Sequence, residues 1–340
     1  MNRVIERCRA VRLLTYPGGM IQPHDLTITE TGLPSPGPND LIVRNRWFRV
    51  SISTRLMASP DAQAVEGIPF PALRPGDALA DGAIGEVVAC PPGSGFEVGA
   101  FVYHPLGWRD YAVVDAGRCV AVGRGPIEPA AYLGHGWTAY AALTRGIQLR
   151  PGDTVFVSSG AGAIGSMAGQ IARKLGAARV IGSTSTVDKA DWMKADLGYD
   201  AVILRNQGPI ADQLKAAAPA GVDVFVDMVG GEHLAAAAGA AREGARFVLL
   251  GALTAELNVA GASIAAPVEL DSFQLILRDM TLRGYSADRD SAEGFPEWIA
   301  WQREAGLRFA CSKVQGLERA PQALHDACEG RLRGLVMVEL

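Results

Sequence analysis

Hydrophobic and polar positions along the chain follow two different rhythms. From about Pro129 onward, short apolar runs alternate with stretches of helical period. Ala130 to Leu143 reads as helix, Thr154–Ser158 as a buried strand, and Gly160 to Gly176 as a glycine-rich turn running into a helix. Arg179–Gly182, Ala201–Leu204, Val222–Val226, Arg246–Gly251 and Thr281–Tyr285 follow as strands. Lys189–Leu197, Ile210–Ala218 and His233–Arg242 are the helical stretches between them. Strands that alternate with helices predict a parallel, doubly wound sheet.

Before residue 125 the texture is different. Short β-branched runs such as Leu41–Arg44, Ala83–Ala89 and Tyr111–Val114 are separated by the turn signals Pro34–Pro38, Pro75–Asp77 and Pro91–Gly93. This predicts a β-rich or barrel-like domain. Near the end, Pro321–Cys328 reads as helix and Leu335–Val338 as a strand returning to the first domain. The expected organisation is a β-rich catalytic domain of residues 1–128 and 292–340 around an α/β domain of residues 129–291.

Composition narrows the function classes. The 340 residues contain 32 Lys and Arg against 36 Asp and Glu, a net charge of −4. With no basic block, nucleic acid is not an expected partner. No apolar run long enough to span a bilayer occurs, so no membrane partner is expected either. The first residues contain no apolar secretory core. The five cysteines (Cys8, Cys90, Cys119, Cys311, Cys328) form no CxxC pair. That spacing fits a reduced, cytoplasmic setting and offers no cysteine-rich zinc site.

The sharpest motif is Gly160, Gly162 and Gly165, a GxGxxG that follows a predicted strand and opens a predicted helix. Here the first Gly permits the tight turn, the second lets backbone approach a pyrophosphate, and the third lets helix and strand pack closely. With Ala163 and Ile164 between them, these residues are the expected phosphate-binding turn, helped by the helix N-terminus. An NAD site usually places an acid about 20 residues on, at the end of the second strand. Gly182–Thr186 stands there instead, and the first carboxylate, Asp188, is followed by Lys189. Hydroxyls and a cation favour a 2′-phosphate, so the expected cofactor is NADP(H), with Ser183 and Lys189 as contacts. Arg205, after the third strand, can stack on adenine or pair with phosphate.

The order of segments resembles the medium-chain dehydrogenase/reductase superfamily, and within it the zinc-independent leukotriene/prostaglandin and curcumin reductase branch. The residues that carry the resemblance are Thr15–Gly19, Gly82–Val88, Gly107–Tyr111 and Leu133–Tyr140 in the first part. Gly162–Ser166, Gly169–Ala172, Val226–Gly231 and Gly316–Leu324 complete the series. The resemblance implies a Rossmann cofactor domain beside a GroES-like catalytic domain. It also implies cofactor contacts at Thr138, at Gly251, Ala252 and Leu253, and at Tyr285, which follows the strand that approaches the nicotinamide. No metal is expected. The early segment Val50–Thr54 has no Cys, and the segment before Gly85 and Glu86 has no His.

The chain departs from that branch at several points. Ser53, Thr54 and Arg55 replace an Asp-Pro-Tyr-like stretch, and Leu257 stands for a Tyr before Asn258. Met228 stands where the branch has Asn, another Asn of the branch falls near Leu332, and Arg205 stands where the branch has Tyr. Tyr103, His104, Trp108, Tyr111 and Tyr140 are further possible hydrogen-bond donors, each with a packing alternative. The expected pocket lies along Ser51–Arg55, Tyr103–Trp108, His135 and Gly251–Leu257. Tyr285, His135 and Arg55 are the catalytic candidates, with Arg55 as anchor for an anionic small-molecule substrate.

The activity implied by the resemblance is NADPH-dependent reduction of a carbon–carbon double bond conjugated to a carbonyl. Quinone reduction, zinc-free alcohol/ketone redox chemistry and non-catalytic NADPH binding remain the alternatives. The last strand, Thr281–Tyr285, is expected at a sheet edge, where pairing with a second copy would make a homodimer.

Overall fold

Strands and helices are numbered along the chain. The computed structural model describes residues 6–64 and 72–340. They divide into two units, one comprising residues up to Gly134 with Glu256–Ile264 and Cys311–Leu340, the other His135–Ala255 with Ala265–Ala310.

The first unit holds β1 (Arg7–Leu13), β2 (Leu26–Gly32), β3 (Asp40–Arg49), α1 (Thr54–Met57), β4 (Ala83–Ala89), β5 (Phe101–His104), β6 (Tyr111–Asp115), β7 (Val120–Gly123) and α2 (Pro129–Leu133). The second holds α3 (Gly136–Ala141), β8 (Thr154–Val157), α4 (Gly165–Lys174), β9 (Arg179–Thr184), α5 (Val187–Leu197), β10 (Ala201–Leu204), α6 (Ile210–Ala217), β11 (Val222–Asp227), α7 (Gly231–Gly239) and β12 (Ala241–Leu249). After α8 (Leu253–Glu256) come α9 (Ser272–Leu277), β13 (Thr281–Gly284) and α10 (Ser291–Ala305), also of the second unit. β14 (Cys311–Gln315), α11 (Ala320–Cys328) and β15 (Leu335–Glu339) return to the first.

In the second unit six strands form a parallel sheet in the order β10-β9-β8-β11-β12-β13. Counted from β8 this is 3-2-1-4-5-6, the doubly wound dinucleotide-binding arrangement. Its central strands are apolar because both faces are covered. Val155, Phe156, Val157, Val224, Phe225, Val226, Phe247 and Val248 are all fully buried. The expected α/β class is therefore the class observed.

The first unit contains a mixed sheet in the order β14-β15-β3-β4-β5-β7, with β6 also on β3, and a separate β1-β2 ribbon. The expected return of Leu335–Val338 is seen in β15, which pairs antiparallel with β3. Within this sheet, His104 is fully buried. Its Nε2 donates to Asn45 Oδ1 at 2.8 Å, and its Nδ1 accepts from the Leu106 amide at 3.2 Å. Asn45 in turn donates to the carbonyls of Leu106 and Arg109. This network ties β3, β5 and the following loop together. Trp108 is likewise fully buried, its ring centroid 5.4 Å from that of Phe48 and the two planes tilted by 40°.

Three expectations change. The helix expected over Ala130–Leu143 is interrupted, because Gly134 is extended (φ −69°, ψ 162°) and His135 starts a new helix as its N-cap. A Cβ on Gly136 would stand 2.2 Å from the Trp298 ring, so the second helix begins on a close contact with α10. Ala241 and Arg242, expected at the end of a helix, belong to β12, where Ala241 pairs with Val222. Residues 292–310, expected in the β-rich domain, lie in the second unit. There Trp298 and Trp301 of α10 pack on Tyr140 with ring centroids 5.7 and 4.9 Å away.

Burial lowers the His104 pKa from 6.5 to about 3. The unfolded chain therefore takes up a proton below pH 6.5 that the folded chain refuses until about pH 3. The stability this neutral imidazole contributes is complete above pH 6.5 and is lost as pH falls through that window. The unfolding free energy of the native protein should fall more steeply with acidification than that of His104→Gln, by up to about 1.4 kcal/mol per pH unit. Urea titrations between pH 7.5 and pH 4.5, about three units, check this. Parallel slopes would contradict it.

Candidate functional site

The carboxyl ends of β8, β9, β11, β12 and β13 lie along one edge of the parallel sheet, where open α/β sheets bind ligands. The glycine turn follows β8. Ser159 adopts a left-handed backbone (φ 50°), and the Gly162 amide donates back to the Ser159 carbonyl at 2.9 Å. Gly165 opens α4 so close beneath the turn that a Cβ there would lie 2.2 Å from the Ser159 oxygen. The first amides of such a helix have no acceptor within the helix itself. The dipole adds partial positive charge at the same point.

Beneath the turn lies Tyr199, which the sequence reading did not single out. It is buried, and its hydroxyl donates to the Gly165 carbonyl at 2.7 Å. Side chains on Gly169 and Gly182 would meet its ring at 2.4 and 2.7 Å. Two glycines thus make room for one phenol that supports the start of α4. Burial pushes the Tyr199 pKa up, so it remains a neutral donor.

Asp227, at the end of β11, is the second unforeseen residue. It is buried, and its Oδ1 accepts from the Ser158 hydroxyl at 2.8 Å, the Val229 amide at 2.8 Å and the Gly230 amide at 3.0 Å. Ser158 also accepts from the Met228 amide at 2.8 Å. Burial raises the Asp227 pKa, against the opposing pull of these donors. The carboxylate locks the end of β8 to the loop after β11. Its motif, Val226–Gly231, was visible in sequence, but the partnership with Ser158 spans 69 residues.

Ser183 meets the turn from β9. Its Oγ accepts from the Ser159 amide at 3.2 Å and its carbonyl from the Gly160 amide at 2.8 Å. Thr186 caps α5 by accepting from the Lys189 amide at 3.4 Å, and Lys189 is buried in the first turn of that helix. Arg205 follows β10, with its amide on the Thr184 carbonyl at 3.0 Å. It also lies near His233, whose pKa is lowered to about 4 mainly by burial and further by Arg205. Gly160–Gly165, Ser183, Lys189 and Arg205 are therefore gathered at the ends of three neighbouring strands.

Gly251, Ala252 and Leu253 follow β12, and the Leu253 amide donates to the Met228 carbonyl at 3.0 Å. Tyr285 follows β13, with its amide on the Leu249 carbonyl at 3.0 Å. Its hydroxyl donates to Asp290, and Arg283 lies 5.4 Å from its ring centroid. Burial and the Asp290 partner push its pKa up. The single phenolic proton is therefore held by a carboxylate. Thr138 lies in α3, which packs on α4, His135 caps its start, and both are half-buried.

In the first unit, Arg55 has a task other than the expected one. Only 1% of it is exposed, and it donates to the carbonyls of Gly19, Glu256 and Asn258. A guanidinium directed at backbone carbonyls is not free to hold an anionic substrate. Tyr140, another possible donor, gives its proton to Glu297 at 2.8 Å, and burial raises its pKa to about 12. Among the described residues no group of three or more His, Cys, Asp and Glu is arranged to hold a metal ion, and no helix is long and apolar enough to cross a membrane.

Comparison with known proteins agrees with this geometry. Residues 9–122 match the family model for the N-terminal domain of oxidoreductases, and residues 163–302 match that for zinc-binding dehydrogenases. Mouse (Mus musculus) prostaglandin reductase-3 is 30% identical, the alignment covering 91% of this chain and 83% of the relative. NADPH-dependent curcumin reductase of Escherichia coli (strain K12) is 25% identical over 100% of this chain and 99% of its own. The crystal structure of CurA from Vibrio vulnificus in complex with NADPH superposes with a TM-score of 0.86 at 27% identity, covering 97% of this chain and 98% of that one. The chain belongs to the medium-chain dehydrogenase/reductase family, in the zinc-independent branch of the prostaglandin, curcumin and alkenal reductases.

Proposed function

We propose that the protein is an NADPH-dependent reductase of carbon–carbon double bonds conjugated to a carbonyl, acting on a small enal or enone. The observation that carries the cofactor reading is the glycine turn at the end of β8, set beside a strand end that bears hydroxyls and a buried lysine where an NAD site would bear an acid. Gly160–Gly165 and the amides opening α4 would hold the pyrophosphate. Ser183, Lys189 and Arg205 would hold the 2′-phosphate, with Arg205 also able to stack on adenine. Thr138, Gly251, Ala252, Leu253 and Tyr285 would position the nicotinamide. The relatives named for NADPH support the same choice.

When bound, the nicotinamide supplies the hydride for the β-carbon. The chain's own task is to place donors where charge gathers on the carbonyl oxygen and to keep water away. His135, at the N-cap of α3, is the proposed donor to that oxygen. Tyr285 acts through position, because Asp290 holds its proton. The prostaglandin and curcumin reductases among the relatives support the double bond as the point of reduction.

The protein is also proposed to act as a homodimer. β13 is the last strand of its sheet, and Phe273, Ile276 and Leu277 of the neighbouring α9 are 64%, 73% and 59% exposed. An open edge beside an apolar surface favours self-association.

Oxidation of NADPH should be seen with enals or enones in a panel that also contains quinones and simple ketones. Turnover confined to quinones or ketones, or none at all, would overturn the assignment. Lys189→Ala should weaken NADPH binding by roughly 1.5–3 kcal/mol, the scale of a charge-assisted hydrogen bond, and leave NADH binding nearly unchanged. Fluorescence titration of both cofactors measures this, and equal losses would remove the 2′-phosphate role. Light scattering across dilution should give a dimer that Ile276→Asp shifts toward monomer. A native monomer at micromolar concentration would contradict the dimer.

A further inference from the structure

We propose that Tyr199 is a positioning residue for the dinucleotide: by holding the first turn of α4 from beneath, it fixes the backbone amides that receive the diphosphate common to NADPH and NADH. The proposal rests on the cofactor site described above and is independent of the substrate.

The arrangement begins at the end of α5. Gly198 ends that helix in a left-handed conformation (φ 70°, ψ 28°), with the cap amide on the Met193 carbonyl. Glycine suits this position because it carries no Cβ to clash. The next residue turns inward, and only 3% of Tyr199 is exposed. Its hydroxyl donates to the Gly165 carbonyl at 2.7 Å. Burial raises the pKa of the phenol, and a hydrogen bond from the Gly169 backbone opposes that rise. Gly165 and Gly169 are one i to i+4 step apart, so a single phenol oxygen serves both ends of the first turn of α4.

The floor of the glycine turn is built from the same stretch of chain. A Cβ on Gly169 would stand 2.6 Å from the Tyr199 hydroxyl oxygen. The methyl of Met193, fully buried, occupies the space that a Cβ on Gly160 or Gly182 would need. Met193 lies in the last turns of α5, Gly160 in the turn after β8, and Gly182 in β9. The end of α5 therefore carries both side chains that lie against these glycines.

A second hold acts at the far end of α4. Arg173, in its last turn, donates to Asp200 and to the carbonyls of Ala177 and Ala178 at 3.2 and 3.0 Å. Asp200 is fastened to β9, where its Oδ2 accepts from the Val180 amide at 2.7 Å and its own amide donates to the Val180 carbonyl at 2.9 Å. Residues 198–200 thus grip α4 at both ends. The two holds are not equal. The Arg173–Asp200 pair is about a third exposed on each side and is screened by solvent. The Tyr199 bond is buried, where leaving it unmade costs more. A slip of α4 by half its rise per residue, about 0.75 Å, stretches an ordinary hydrogen bond beyond its useful range. Amides that must meet a diphosphate are that sensitive to where the helix starts. Lys189, at the other end of α5, is remote from this contact in chain order.

The test compares the native chain with Tyr199→Phe, which keeps the ring and removes one oxygen. Calorimetric titration with NADPH, NADH, ADP-ribose and adenosine 2′-monophosphate separates the diphosphate from the 2′-phosphate. The first three affinities should fall together by about five- to tenfold, the scale of one hydrogen bond, while that for adenosine 2′-monophosphate holds to within about twofold. Lys189→Ala should give the converse pattern, with NADPH and adenosine 2′-monophosphate weakened and ADP-ribose unchanged. A Tyr199→Phe variant that melts earlier but binds all four ligands as the native chain does would overturn the proposal. So would an equal loss for all four, or a loss confined to the two ligands with a 2′-phosphate. Hydrogen exchange on the ligand-free protein gives a second reading. The Gly169 amide should exchange as slowly as the amides of β8 in the native chain and about tenfold faster in Tyr199→Phe. Fast exchange at Gly169 in the native chain would overturn the proposal even if the variant did not fold. If the native protein binds neither dinucleotide, the cofactor reading fails, while the exchange arm still decides whether Tyr199 holds the turn.

Discussion

Gly165 and the Ser159 carbonyl approach so closely that a Cβ would stand at 2.2 Å, and the cofactor half of the molecule is arranged around that approach. The chain must leave β8 and enter α4 within a few residues. It does so through a left-handed Ser159 and a Gly162 amide turned back to it. Tyr199 supports the helix start from below, Ser183 ties it to β9, and the Asp227 carboxylate ties it through Ser158 to β11. A dinucleotide site asks for backbone amides held in fixed directions. The surrounding hydrogen bonds supply that rigidity before any ligand arrives.

Buried polar groups do different work in the two units. Asp227 faces one hydroxyl and two backbone amides, which compensate for much of the cost of burying a carboxylate. Arg55 faces only carbonyls and keeps an unpartnered Nε, so its burial is less well compensated. His104 avoids the cost by remaining neutral. Each fastens pieces of chain that lie far apart in sequence, and each does so with geometry that an apolar contact would leave loose.

That distinction explains what could be read from the sequence. The parallel sheet was legible because its central strands are covered on both faces and so appear as short apolar runs. The glycine turn was legible because three glycines at fixed spacing follow one such run. The start of a second helix at Gly136, packed closely on Trp298, was not, since the two residues lie more than 160 positions apart. α10 was assigned to the wrong unit because its aromatic partner Tyr140 is equally remote. Tyr199 and Asp227 carried no local signal of their roles. Arg55 stood out as a departure, but its carbonyl partners at Glu256 and Asn258 belong to no motif, so a substrate anchor was the natural expectation. Local pattern reveals elements, whereas long-range polar partnerships appear only once the chain is folded.

In the proposed reaction a hydride is delivered to the β-carbon of a conjugated carbonyl compound. The most direct measurement is reduction of a simple enone with NADPH deuterated at the transferable position, followed by NMR of the product. Deuterium at the β-carbon of a saturated ketone is the predicted result. Deuterium at the carbonyl carbon of an alcohol, with the double bond intact, would contradict the account.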